Sequence, residues 1–183
     1  MYDACVLYPA PLRDFLMQLA TTGLFRAAWT EQIHEEWIES LLANRPDLTR
    51  TRLERTKNLM DASVPDSLIV NYEELVPGID LPDQNDRHVV AAAIRGGASL
   101  IVTFNLNDFP ASILGRYDLE AVDPDDFIVQ QFHLSEARVI ESARKHRARL
   151  KSPRKTVEEY LATLDQQRLP RTAALLKSHR FYI

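Results

Sequence analysis

Apolar positions along this chain fall into two alternating rhythms. Short runs rich in β-branched and aromatic residues read as strands: Tyr2–Tyr8 (YDACVLY), Leu68–Val70, Ser99–Thr103 (SLIVT) and Leu119–Val122 (LEAV). Between them the apolar residues keep helical spacing. After the Pro9-Ala10-Pro11 break, Leu12, Phe15, Leu16, Leu19 and Ala20 form one stripe. Thr30 opens a second helix with Ile33, Trp37, Leu41 and Leu42 on its apolar face, closed by Asn44 to Asp47. A third runs from Thr49 to Ala62 with Leu53, Thr56, Leu59 and Met60 inward, and Val76-Pro77-Gly78 then turns the chain.

The stretch 83–109, DQNDRHVVAAAIRGGASLIVTFNLNDF, comes next, and the rest of the chain is organised around it. His88 to Ile94 is almost wholly apolar, Gly96-Gly97 reads as a C-cap, and the Ser99–Thr103 strand follows. Past Phe109-Pro110 a short helix reaches Leu114. Asp123-Pro124 starts another, with Asp as N-cap, Pro at the first helical position, and Asp125 and Asp126 as first-turn dipole residues. Strands alternating with helices over 1–132 predict an α/β domain. From Ser135 the pattern is helical only. One helix extends to about Lys151, a second opens at Ser152-Pro153 and reaches about Leu164, and a third opens at Leu169-Pro170.

Length and composition narrow the class. A chain of 183 residues, 45% apolar and 26% charged, suits a soluble globular protein with one good core and a small appendage. No apolar run is as long as a membrane span, and no basic stretch precedes a leader-like core. Cys5 is the single cysteine, so an internal disulfide is excluded and the reducing interior of a cytoplasm suits the chain; Cys5 itself reads as a small core residue of the first strand.

Charge is distributed unevenly. Residues 1–132 hold 10 Lys and Arg against 21 Asp and Glu, and residues 133–183 hold 12 against 5. A net of −11 beside a net of +7 predicts two parts with different work: a domain over 1–132 and a basic helical extension over 133–183. The run 144–155 (RKHRARLKSPRK) has seven cations and no acid: Arg144, Lys145, Arg147, Arg149, Lys151, Arg154 and Lys155. Two uses fit it, a phosphate-contacting surface or a basic face that docks on the acidic domain.

The acids carry the candidate chemistry. Asp83 and Asp86 stand at the start of the central helix, and Asn105 and Asp108 directly follow the strand after it. In an open parallel sheet both positions open on the edge where ligands bind. Asp3 lies inside an apolar run, costly for an acid unless it is paired or metal-bound. Of Glu31, Glu35, Glu36 and Glu39, Glu36 lies beside Ile33 and Trp37 at the edge of the buried stripe. Taken singly, Asp83 and Asp86 read equally as an N-cap and an N3 capping-box residue, and Asn105 and Asp108 as turn residues. Taken together, they predict a cation site. His34 and His88 read as surface or capping groups.

Asp3, Glu36, Asp86 and the T-x-N-x-x-D-F run (Thr103, Asn105, Asp108, Phe109) resemble the PIN-domain family, and within it the VapC-type toxin nucleases that carry D-x-x-D-R-H before the central helix and a helical extension after the domain. The resemblance covers roughly residues 1–130. It implies a three-layer α/β/α sandwich with a central parallel sheet of about five strands, followed by the helical tail. It assigns catalysis and metal binding to Asp3, Glu36, Asp86 and Asp108, with Asp83, Thr103 and Asn105 as accessory residues. It further implies a ribonuclease dependent on Mg²⁺ or Mn²⁺, acting on structured RNA of the translation machinery and held in check by a co-expressed antitoxin protein; a homodimer is compatible with it.

The chemistry agrees. Mg²⁺ and Mn²⁺ take hard oxygen donors, keep several waters and need few direct carboxylates, and an ion so held activates water for an in-line displacement without a side-chain nucleophile. Arg87 and the 144–155 run would supply a basic rim for RNA. Two other readings compete. One is a non-catalytic binding module of the same fold. The other is a phosphotransfer domain, which lacks its second Asp because Cys5 stands two residues after Asp3, and lacks a Lys anywhere in residues 58–144.

Overall fold

The computed structural model describes residues 1–151 and 153–183. Its elements are α1 (Ala4–Leu7), α2 (Ala10–Ala20), α3 (Glu31–Asn44), α4 (Arg50–Ser63), α5 (Arg87–Arg95), β1 (Leu100–Val102), α6 (Ala111–Leu114), β2 (Glu120–Val122), α7 (Pro124–Leu134), α8 (Glu136–Arg149), α9 (Val157–Gln166) and α10 (Pro170–Ser178), with 3₁₀ turns at Glu73–Gly78, Gln84–Asp86, Leu106–Asp108 and Gly115–Tyr117. They form two compact units, neither continuous in sequence. One comprises residues 1–8 and 27–123, the other residues 9–26 and 124–183. The division falls after residues 8, 26 and 123 and not at residue 132. Residues 9–26 join the tail because the stripe Leu12, Phe15, Leu16 and Leu19 on α2 is fully buried, with α2 packed on α8 and α9.

The first unit is threaded by extended backbone. β1 and β2 pair in parallel with Leu100 opposite Glu120 and Val102 opposite Val122. Residues 1–3 add to β1 through a parallel bridge from Tyr2 to Val102, with Asp3 N donating to the Val102 carbonyl at 3.1 Å. Tyr2 N donates to the Ala28 carbonyl at 2.9 Å, and Trp29 bridges in parallel to Leu68. Five segments are thus linked by hydrogen bonds in the order 67–69, 28–29, 1–3, 100–102 and 120–122. Among the described residues, two of them are long enough to be strands.

The expected first strand, Tyr2–Tyr8, is a single bridge followed by a helical turn. The reason is local: the Asp3 carboxylate accepts from Ala4 N at 2.6 Å and caps α1. This satisfies a donor that a strand would have sent to a neighbour. Leu68–Val70 is likewise one bridge, and Val70 is exposed.

α5 ends where its glycines predict. Ala98 N reaches back to the Ala93 carbonyl at 2.9 Å, and Gly97 takes φ +61°, which an L side chain adopts only with strain. Gly96 has a second reason, because a Cβ there would meet the Ile69 side chain at 3.0 Å and the Ala92 carbonyl at 3.1 Å.

The core of this unit contains a polar chain. Trp37 Nε1 donates to His34 Nδ1 at 3.0 Å, which places the ring proton on Nε2, 3.0 Å from Asp61 Oδ1. Trp29 Nε1 donates to the same oxygen at 2.8 Å. His34, read from sequence as a surface or capping group, is fully buried, and burial pushes its imidazole below its usual range. It is a structural residue that joins α3 to α4.

In the second unit, His146 of α8 stacks on Phe15 with ring centroids 5.5 Å apart and meets the Tyr160 hydroxyl of α9 at 3.0 Å. Asp125 is buried and accepts from Arg171 N and Thr172 N, each at 2.8 Å, so it caps the start of α10 rather than serving α7 alone. The neighbouring Asp126 pairs with Arg171. α9 starts at Thr156, which forms a capping box with Glu159. Ser152, expected to open that helix, lies outside the described residues. Among the described residues, no helix is long and apolar enough to cross a membrane.

Asp61 offers a test of the first unit's packing. Asp61→Ala leaves two buried N–H donors, on Trp29 and His34, without an acceptor. The expected loss is about 2–4 kcal/mol of unfolding free energy in urea titration. A loss below about 0.5 kcal/mol would show that water replaces the carboxylate without penalty.

Candidate active site

Asp3 sits where residues 1–3 leave β1 and α1 begins. Its carboxylate is buried and held by three donors: Ala4 N at 2.6 Å on Oδ1, and Thr103 Oγ1 at 2.6 Å and Cys5 Sγ at 3.0 Å on Oδ2. Thr103, at the end of β1, also accepts from Asn105 N at 3.0 Å and fixes the loop that follows. Cys5 is not a core strand residue. It lies half-buried on α1, where burial, then the Asp3 charge and their hydrogen bond, push its thiol up to about 12. It stays protonated and donates.

Asp86 faces Asp3 electrostatically. Its carboxyl is pushed up to about 6, first by burial and then by the charges of Asp3, Asp83 and Asp108, with His88 pulling the other way. Asp86 occupies the N-cap position of α5 but makes no side-chain cap hydrogen bond. The capping-box account of this residue therefore lacks its bond. Asp83 does cap: it is exposed, and its carboxylate accepts from Asn85 N at 2.8 Å, closing the turn before α5. Asp108 is half-buried in the turn after β1.

Glu36 lies on α3 with its carboxylate Oε1 2.8 Å from His88 Nε2. Asp3, Cys5, Tyr8, Glu36, Trp37, Ser40, Asp86 and Asn105 line one cavity of about 420 Å³. Three of the four expected acids therefore share a cavity. Asp108 is not on its wall and reaches the group through its charge on Asp86. His88, read from sequence as a surface or capping residue, is buried on α5. The only sequence signal for it was its place beside Asp-Arg at the head of an apolar helix.

The acids offer hard oxygens, and the Asp86 carboxyl is raised first by burial and then by neighbouring negative charges that a cation would offset. Among the described residues, no three His, Cys, Asp or Glu side chains stand close enough together to hold an ion by themselves. Mg²⁺ and Mn²⁺ keep several waters and take one or two direct carboxylates.

The expected RNA-contacting cations are less uniform. Arg87 is mostly buried, 3.9 Å from Asp80. Arg144 makes a two-pronged pair with Glu141 at 2.6 and 2.7 Å, and Lys145 lies 3.5 Å from the same acid. Arg147 donates to the carbonyls of Lys155 and Ile183 at 2.9 and 3.1 Å, so it ties the tail together instead of presenting a free charge. Lys155 donates to the Thr163 hydroxyl. Arg149, Lys151 and Arg154 are exposed.

Comparison with known proteins gives two family matches. A family described as PIN domain matches residues 1–107, and one described as VapC50 C-terminal domain matches residues 124–178. A curated protein of Mycobacterium tuberculosis (strain ATCC 25618 / H37Rv), named "Putative ribonuclease VapC50", is 43% identical over 65 residues, 36% of this chain and 38% of that protein. The chain thus matches little more than a third of the relative's length. No solved structure matches with significance.

The raised Asp86 carboxyl fixes a pH signature. A folded pKa of about 6 against an ordinary 3.8 means that the charged form destabilises the metal-free fold above pH 6, and that this penalty fades as pH falls toward 4. Asp86→Asn is expected to raise the metal-free unfolding free energy at pH 7 by on the order of 1 kcal/mol, discounted for its half-exposed position, and by nothing near pH 4. Chemical denaturation at both pH values in chelator checks this. A lower stability at pH 7 would return Asp86 to a helix-capping role.

Proposed function

The chain belongs to the PIN-domain family, and from that premise we propose that it is a divalent-metal-dependent endoribonuclease that hydrolyses phosphodiester bonds of structured RNA. One observation carries the reading: Asp3, Glu36 and Asp86 line a single cavity, and burial, then the charges of Asp3, Asp83 and Asp108, push the Asp86 carboxyl up to about 6. The name of the relative VapC50 supports ribonuclease over other phosphodiester chemistry.

In this reading Asp3, Glu36, Asp86 and Asp108 would hold Mg²⁺ or Mn²⁺. When bound, the ion supplies positive charge against the scissile phosphate and acidifies water. The chain's own residues do the rest. Thr103 and Ala4 N orient the Asp3 carboxylate, and Asn105, fixed by its backbone bond to Thr103, offers an amide on the cavity wall. Burial and Asp3 push the Cys5 thiol up to about 12, which makes it a poor nucleophile, and water is the proposed attacking group. Asp83 adds negative charge at Asp86 without lining the cavity.

RNA is the proposed ligand of the basic tail, and a co-expressed antitoxin protein the proposed regulator, as in a toxin–antitoxin pair. Arg149, Lys151 and Arg154 are the cations best placed for phosphates, since they are exposed and Arg147 is committed to backbone carbonyls. A non-catalytic module of the same fold is the second reading.

Two experiments test the proposal. Purified protein should cleave folded RNA with Mg²⁺ or Mn²⁺ and stop in chelator, and Asp3→Asn should lower kcat by at least about 100-fold. Persisting cleavage in chelator, or an active Asp3→Asn variant, would refute it. Charge reversal at Arg149, Lys151 and Arg154 together should weaken RNA binding and reduce the salt slope by about 1–3, with Mn²⁺ binding unchanged. Normal RNA binding with a much lower melting temperature would make the basic segment structural.

A further inference from the structure

Glu36 has one carboxylate oxygen tied twice. Oε1 accepts from Gln32 Nε2 at 3.2 Å and lies 2.8 Å from His88 Nε2. Gln32, one turn earlier on α3, is held at its other amide atom by the Tyr72 hydroxyl at 3.4 Å. His88 is 4% exposed on α5, whereas the Glu36 side chain is 37% exposed. A half-exposed Glu on a helix surface ordinarily samples several rotamers. This one is held by Gln32 on its own helix and by a buried ring on α5.

The ring's other nitrogen shows which form it takes. His88 Nδ1 is buried and has no hydrogen-bond partner among the described residues. A proton there would be an unsatisfied buried donor, which is strongly disfavoured, whereas a bare lone pair is tolerated more easily. A proton on Nε2 therefore lets His88 donate to Glu36 Oε1.

We propose that His88 is a positioning residue. With Gln32, it pins Oε1 of Glu36 and leaves Oε2 as the oxygen that serves the cation in the cavity. A carboxylate fixed by such partners loses less conformational freedom when it takes up an ion and meets the ion in one geometry. This rests on the reading that Glu36 serves a divalent ion here. It assigns a role to a residue that neither the acid pattern nor the relatives assign.

The test uses the full chain with Mn²⁺ as the probe. His88→Leu removes the donor and keeps the apolar burial. Mn²⁺ affinity by calorimetry and kcat should both fall about 10–100-fold, with KM for RNA unchanged. His88→Gln, which keeps an N–H donor, should restore most of both. In a Glu36→Gln background, His88→Leu should cause no further loss of either.

Wild-type Mn²⁺ affinity and kcat in His88→Leu would overturn the inference, as would a loss that adds in full to that of Glu36→Gln. If His88→Leu does not fold, Gln32→Leu on the exposed side of α3 supplies the same readouts with a smaller loss, and unchanged Mn²⁺ affinity there overturns the clamp. The two levels separate cleanly. A wild-type chain that neither binds Mn²⁺ nor cleaves RNA removes the site reading and the clamp with it. An active wild type with Asp86→Asn inactive and His88→Leu unaltered removes the clamp alone.

Discussion

The carboxylate of Asp3 is buried, and everything at the candidate site follows from how that burial is made tolerable. An ionised acid taken out of water needs several donors. Here they come from Ala4 N, Thr103 Oγ1 and Cys5 Sγ, which lie on two different segments of the chain. Satisfying Asp3 therefore fixes the start of α1 against the end of β1, and through Thr103 it fixes Asn105. It also plants a negative charge beside Asp86, already partly desolvated and burdened by Asp83 and Asp108. The fold holds like charges together at a cost in the metal-free state, an arrangement more characteristic of functional sites than of packing.

Part of this was legible in the sequence because burial and chemistry pull against each other there. Asp3 inside an apolar run and Glu36 on the edge of a buried stripe violate the local pattern, so they stand out, and the glycine pair at 96–97 announced the end of α5. What was not legible depended on long-range contacts. The run YDACVLY has strand composition, yet one capping bond from Asp3 turns it into a helix. His34 and His88 sit in polar-looking contexts, and only three-dimensional packing shows that each is buried against a carboxylate. Asp108 matched a motif position, but which of the acids line the cavity could not be read from spacing.

The tail teaches the same lesson about charge. Seven cations in a dozen residues read as one basic face. The structure gives them different duties: Arg144 and Lys145 answer Glu141, Arg147 holds two backbone carbonyls, Lys155 meets Thr163, and the exposed remainder is smaller than the sequence count. Likewise, residues 9–26 belong with the tail because an apolar stripe requires a partner whatever its place in the chain.

In the proposed reading, the acids around Asp3 hold a divalent ion used for RNA hydrolysis. The most direct measurement is anomalous X-ray scattering from crystals of the chain soaked in Mn²⁺. The account predicts an anomalous peak in the cavity lined by Asp3, Glu36 and Asp86, lost in Asp86→Asn crystals. A cavity that stays empty of Mn²⁺ while the same preparation cleaves RNA, or a peak only at some other group of residues, would contradict it.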